Sequence, residues 1–187
     1  MTLGKRRAWL GIVLIAFFFL LNTSFVWKWM YPIKYREEIM DASRQYRVDP
    51  HLILAVIRSE SSFQADRVSK KGAIGLMQIM PDTAEWIVQQ GGFKPANKDY
   101  LYDPVMNIQI GTWYLQFLGN RYEGDIAKVI AAYNAGPGKV NGWLNDGQWN
   151  GRRESLEDIP YPETRMYVQR VLYYQDRYQR VYDQELH

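Results

Sequence analysis

The chain has 187 residues, 47% hydrophobic and 23% charged, which is enough apolar material for one domain with its own core. There is no cysteine, which excludes a disulfide framework, a cysteine nucleophile and thiolate metal sites. Its two histidines, His51 and His187, stand far apart, which argues against a histidine-based metal site, and a net charge of +3 suits an anionic partner such as a cell wall or membrane surface.

Lys5, Arg6 and Arg7 precede an uncharged run from Ala8 to Trp27 that is rich in Leu, Ile and Phe. Twenty residues of helix span about 30 Å, one hydrocarbon core. The run therefore reads as a single transmembrane signal-anchor over 8–27. Residues 1–7 form a short cytoplasmic basic segment, and everything after Trp27 lies outside the membrane. Asn22, Thr23 and Ser24 are expected near the outer interface, followed by an aromatic belt of Trp27, Trp29 and Tyr31. A removed signal peptide is the alternative, but Asn22 fits a cleavage site ending at Ser24 poorly.

Residues 28–34 are a linker, and the polar, amphipathic stretch from Pro32 to Arg47 reads as the lead-in to the first domain helix. Asp49 and Pro50 are a helix start, N-cap and first helical position, for a helix from Pro50 to Ser61. It is apolar at nearly every position after His51, so it has to be buried. Residues 62–71 show no helical period, and Gly72 and Gly75 mark an irregular turn, Gly75 for close backbone approach. A helix over 81–90 stops at Gly91 and Gly92. Phe93 to Tyr102 is a loop, and Asp103 and Pro104 open a long helix to Arg121 with a core face of Ile108, Trp113, Leu115 and Leu118. Asp125 caps a helix through Tyr133 that Asn134 to Gly138 ends. Gly142 to Glu157 is polar and reads as a loop over a cleft. Pro162 begins a last helix toward Tyr182, burying Val168, Val171, Leu172 and Tyr178. No segment alternates as a strand, and no repeat or heptad is present.

Glu60 stands out by position. It sits at the C-terminal end of an apolar helix, where the dipole disfavours an anion. Burial adds to that penalty, and both push a carboxyl pKa upward. A glutamic acid kept protonated near neutral pH is what a general acid must be. The plainer alternative is a solvated Glu60 paired with Arg58 or Arg67.

Four pieces in order carry a resemblance: Glu60-Ser61, Gly75-Leu76-Met77-Gln78, Ala132-Tyr133-Asn134, and Ile159-Pro160-Tyr161-Pro162-Glu163-Thr164-Arg165-Met166-Tyr167-Val168. Together they resemble the soluble lytic transglycosylase family, relatives of goose-type lysozyme, over about residues 35 to 180. The resemblance implies a mainly α, lysozyme-like helical domain over 35–187, preceded by the one N-terminal transmembrane helix. It implies peptidoglycan glycan strands as substrate, with no cofactor, metal or nucleic acid, and leaves any protein partner in an envelope complex open. The implied location is the bacterial cell membrane, single-pass, with the catalytic domain on the extracytoplasmic side.

The same resemblance assigns roles. Glu60 is the single acid and base. Tyr133 brings its hydroxyl near the acetamido group or the glutamate, unless it is an aromatic core residue with a satisfied hydroxyl. Ser69 polarises the acid or the sugar, Met77 and Gln78 contact the sugar, Asn134 and Ser61 hold the site, and Glu163 binds sugar or else pairs with Arg165. Ordinary glycosidases need two carboxylates, whereas Asp82 and Asp103 have helix-start explanations here. The family reaction uses one: Glu60 protonates the glycosidic oxygen after N-acetylmuramic acid, then takes the C6 hydroxyl proton as that oxygen closes a 1,6-anhydro ring. Two alternatives stay open: a hydrolysing muramidase of goose-type lysozyme character, and a non-catalytic glycan-binding envelope scaffold.

Overall fold

The Asp49 carboxylate accepts from the backbone N–H of His51 at 2.9 Å, and Pro50 follows at the first helical position. In the computed structural model, which describes residues 3–21, 24–97 and 99–186, this start opens α4, Pro50–Glu60. The other helices are α1 (Leu3–Leu21), α2 (Ser24–Met30), α3 (Arg36–Tyr46), α5 (Pro81–Gly91), α6 (Pro104–Arg121), α7 (Ile126–Ala135), α8 (Pro137–Asn145) and α9 (Pro162–Tyr182). Short 3-10 turns cover Tyr100–Tyr102 and Arg153–Asp158. The chain is mainly helical. Among the described residues, extended pairing is confined to two isolated bridges, Val68 with Ile74 and Ile74 with Ile79.

Every residue of α4 from His51 to Ile57 is buried, as a helix apolar all round must be. Helix α9 lies along it in the most extensive helix pairing of the fold and inserts Val168, Val171 and Leu172. Helices α3, α6 and α7 complete the shell around this pair. Asp103 caps α6 by accepting from Val105 and Met106, and Asp125 caps α7 by accepting from Ala127 and Lys128. Each satisfies first-turn N–H groups that the helix itself leaves open.

Three expectations are corrected. The stretch from Pro32 to Arg47 is no mere lead-in. Helix α3 buries Ile39, Ala42, Ser43 and Tyr46 against α4 and α6 and belongs to the core. The presumed loop over 142–157 begins inside α8. Pro137 starts that helix, having no N–H to lose at its first position, and Val140, Trp143 and Trp149 are buried. No described residue of 142–157 lines the cleft described below.

The third concerns Tyr31, in the N-terminal segment. Among the described residues no helix is long and apolar enough to cross a membrane. Lys5, Arg6 and Arg7 lie within α1. Asn22 and Thr23, expected at the outer interface, lie outside the described residues. Trp9, Leu10, Ile12, Val13, Leu14, Ile15 and Phe17 are all at least half exposed. Tyr31, by contrast, is buried: its ring meets Tyr178 edge-on at 5.8 Å, and its carbonyl accepts from the Tyr182 hydroxyl at 2.8 Å. It joins the body of the fold instead of facing a membrane surface.

Candidate active site

Helix α4 ends at Glu60, and the chain then runs through a compact loop, residues 61–80, before α5. Ser61 is fully buried and donates its hydroxyl to the Ile57 carbonyl at 3.3 Å. Ser69 N–H donates to the Ala73 carbonyl at 2.8 Å, and Ala73 N–H returns a bond to the Ser69 hydroxyl at 2.9 Å. Ile74 and Ile79 exchange backbone bonds of 3.0 and 3.1 Å. Gln78 sits in the left-handed region, φ 49°, and its side-chain amide donates to the Arg67 and Gly75 carbonyls at 3.0 and 2.9 Å. The loop is therefore held by side-chain bonds together with backbone ones.

Asn107 of α6 fixes this loop to the core. Fully buried, it accepts from Met77 N–H at 2.8 Å and donates to the Ile74 and Leu101 carbonyls at 3.0 and 2.8 Å. Gly75, at φ 83°, passes so close to this amide and to the Leu101 carbonyl that a Cβ would collide with both. Asn107 was not singled out in the sequence. An amide at the fourth helical position of α6 gives no local sign of three tertiary partners.

These elements enclose a cleft of about 670 Å³, walled by the loop on one side and by α7 and the start of α9 on the other. Glu60, Ser69, Gln78, Tyr133, Asn134 and Glu163 all line it. Met77 does not: its side chain is fully buried and packs against Gly111 of α6. Met80 stands in the cleft instead, 39% exposed just before Pro81.

Glu60 is shielded from water, and burial raises its carboxyl pKa to about 7 against the opposing pull of Tyr167, Arg170 and Arg67. The Tyr167 hydroxyl acts on that carboxylate without a fully aligned hydrogen bond and has no other partner of good geometry. Arg58 does not pair with Glu60; its guanidinium lies 6.0 Å from the Tyr174 ring centre. Burial and the nearby Glu60 charge drive Tyr133 and Tyr167 well above the usual tyrosine pKa, so both remain neutral donors. Tyr167 is a second site residue with no role assigned to it in the sequence, although it lies within the fourth motif.

The Tyr133 hydroxyl donates to the Met77 carbonyl at 2.9 Å, so the residue is satisfied and yet faces the cleft beside Glu60. Asn134 accepts from Thr164 at 2.8 Å and ties α7 to α9. Glu163 pairs with Lys71 at 3.4 Å and not with Arg165, whose guanidinium donates to the Ile159 carbonyl. Among the described residues no three His, Asp or Glu side chains gather to hold a metal ion.

Residues 37–156 match the Transglycosylase SLT domain family. The chain belongs to that family. Over 156 residues it is 37% identical to the soluble lytic murein transglycosylase of Escherichia coli strain K12, covering 81% of this chain and 24% of that protein. A membrane-bound lytic murein transglycosylase C from Edwardsiella ictaluri is 43% identical over 116 residues, 57% of this chain and 32% of the relative. Among solved structures, the 70 kDa soluble lytic transglycosylase of E. coli superimposes with a TM-score of 0.76 at 33% identity, covering 82% of this chain and 25% of that one. An inactive mutant of the lytic transglycosylase Slt from Pseudomonas aeruginosa gives 0.73 at 35% identity, over 81% and 25%. The fold is thus the lysozyme-like one of lytic transglycosylases. This SLT-domain chain spans about a quarter of the length of the soluble relatives it matches.

Proposed function

We propose that the chain is a lytic transglycosylase that cleaves the β-1,4 bond between N-acetylmuramic acid and N-acetylglucosamine in peptidoglycan, leaving a 1,6-anhydro end. The observation that carries this reading is Glu60, with its pKa raised to about 7 in a cleft that offers no second shielded carboxylate among its described lining residues. The other lining carboxylate, Glu163, is 76% exposed and bonded to Lys71.

One group near neutrality can serve both steps. Protonated, Glu60 gives its proton to the leaving glycosidic oxygen. Ionised, it takes the proton of the C6 hydroxyl as that oxygen attacks C1 of the same ring. Nucleophile and electrophile share one sugar, so the second step is intramolecular and consumes no water. Tyr167, held neutral, gives the carboxylate a donor at the moment it is charged. Ser69, Gln78, Asn134 and Glu163 line the path of the sugar, and we assign Met77 to the wall behind it through its carbonyl bond to Tyr133.

Helix α1 supports attachment to a membrane. Its exposed Leu, Ile, Val and Phe side chains follow three basic residues, a pattern for lipid contact with the basic end cytoplasmic. Attachment would keep the catalytic unit, residues 35–187, near the wall and raise its effective concentration there.

The deciding experiment is a digest of purified peptidoglycan followed by mass spectrometry of the muropeptides. Products lighter by one water than hydrolytic ends and inert to borohydride support the transglycosylase. Reducible muramic ends mean a hydrolysing muramidase. Bound but uncut glycan means a scaffold.

A further inference from the structure

Beside the main cleft lies a second hollow of about 430 Å³, lined by Asp82, Thr83, Trp86, Tyr114, Phe117, Arg121 and Pro137. Its volume is in the range that small ligands occupy. Thr83 and Tyr114 line both spaces, so the two adjoin. We propose that this hollow is a further saccharide site, in which a ring of the same glycan strand, beyond those at Glu60, stacks on Trp86. The proposal rests on the glycan reading of the main cleft.

Trp86 is the decisive residue. Helix α5 buries Ala84 and Ile87, while Trp86 lies off that face and leaves 38% of its surface exposed. Large aromatic surface left in water costs hydrophobic free energy unless something covers it. Other aromatic rings hold Trp86 in place, and Tyr114 and Phe117 share the lining of the hollow with it. Phe117 meets it edge-on at 5.0 Å, and Trp113 and Tyr114 do so at 6.0 and 6.3 Å. Trp113 and Phe117 in turn stack at 5.7 Å, interplanar angle 10°. A platform supported on this many sides binds without first losing rotamer freedom.

The polar groups at this site suit a sugar. Asp82 supplies an acceptor and Arg121 a fork of donors on either side of the aromatic floor, and a hexosamine ring offers an apolar face bordered by hydroxyls that need both. A linear β-1,4 strand leaving the main cleft past Thr83 and Tyr114 arrives at this floor. A stem peptide is the competing occupant, and the test separates it.

The full chain carrying Glu60→Gln, so that nothing is cut, is titrated calorimetrically with peptide-free peptidoglycan oligosaccharides of four and eight sugars. The longer oligomer is expected to bind about tenfold more tightly. Trp86→Ala erases that gain and leaves four-sugar binding unchanged, while Trp86→Phe keeps most of it. Far-UV circular dichroism checks that both variants remain helical. An equal length gain in Trp86→Ala, or no gain in the parent, overturns this site alone. A gain seen only when stem peptides are attached gives the hollow to the peptide and also overturns it. Failure of both oligomers to bind overturns this site together with the glycan reading of the main cleft.

Discussion

Lys71 and Glu163 meet at 3.4 Å across the mouth of the cleft, one from the loop after α4 and the other from the first turn of α9. Both side chains are about three-quarters exposed, so solvent screens the pair and its net stabilisation is at most about 0.5 kcal/mol. Both line the cleft, so a strand bound there would lie against the pair. Glu163→Gln is therefore expected to raise KM for peptidoglycan several-fold while kcat and Tm stay within error. An unchanged KM would leave the pair with no part in binding.

Glu60 sets a pH dependence of stability whose sign follows from its raised pKa. Between the ordinary value of 4.5 and about 7 the folded chain holds the proton that the unfolded chain has lost. Its contribution is complete below the unfolded pKa and is lost as pH rises through 7. One unit is about 1.4 kcal/mol, so charging Glu60 costs up to about 3 kcal/mol. Glu60→Gln should abolish cleavage, match the parent in urea unfolding below pH 4.5, and exceed it above pH 7. Coincident curves at both pH values would remove the buried-acid argument.

Tyr167 lowers the Glu60 pKa through its hydroxyl. Tyr167→Phe takes away that stabilisation of the carboxylate, so the alkaline limb of kcat/KM should move to higher pH with the helix content unchanged. A limb that stays in place would restrict Tyr167 to packing.

Asn107 holds three backbone groups that have no water to turn to. Asn107→Ala leaves them unpaired and is expected to cost about 2–4 kcal/mol in denaturant unfolding. Activity should fall with it, because Gln78 and Met80 lose their frame. Full activity in a destabilised variant would show that the loop holds its shape without the amide.

Removal of residues 1–23, which spares the buried Tyr31, should transfer the protein from the membrane to the soluble fraction. Turnover of short soluble fragments should persist and digestion of intact wall should slow. Retention on membranes would move the attachment to another surface.

Much of this molecule was legible because its local signals agree with its packing. Asp49-Pro50, Asp103-Pro104 and Asp125 start helices where capping chemistry says they should, and the all-apolar stretch after His51 is the buried centre. The four motifs identified the cleft, and Glu60, Ser69, Gln78, Tyr133, Asn134 and Glu163 do converge on it. Tertiary contacts wrote the rest. Met77 and Met80 are interchangeable in a pattern, and only the turn at Gln78, with its positive φ, puts one in the core and the other in the cleft. Helix α3 is too polar to announce burial, and α8 hides behind a glycine-proline-glycine stretch that reads as a stop. Lys71 finds Glu163 across 92 positions of chain, a distance no local pattern spans.

Helix α9 runs from the cleft rim at Glu163 to Tyr178 and Tyr182, which grip Tyr31 just after α2. Its 21 residues make a rod about 32 Å long. On the membrane attachment proposed above, that rod would act as a spacer of fixed length between the N-terminal segment and the cleft rim.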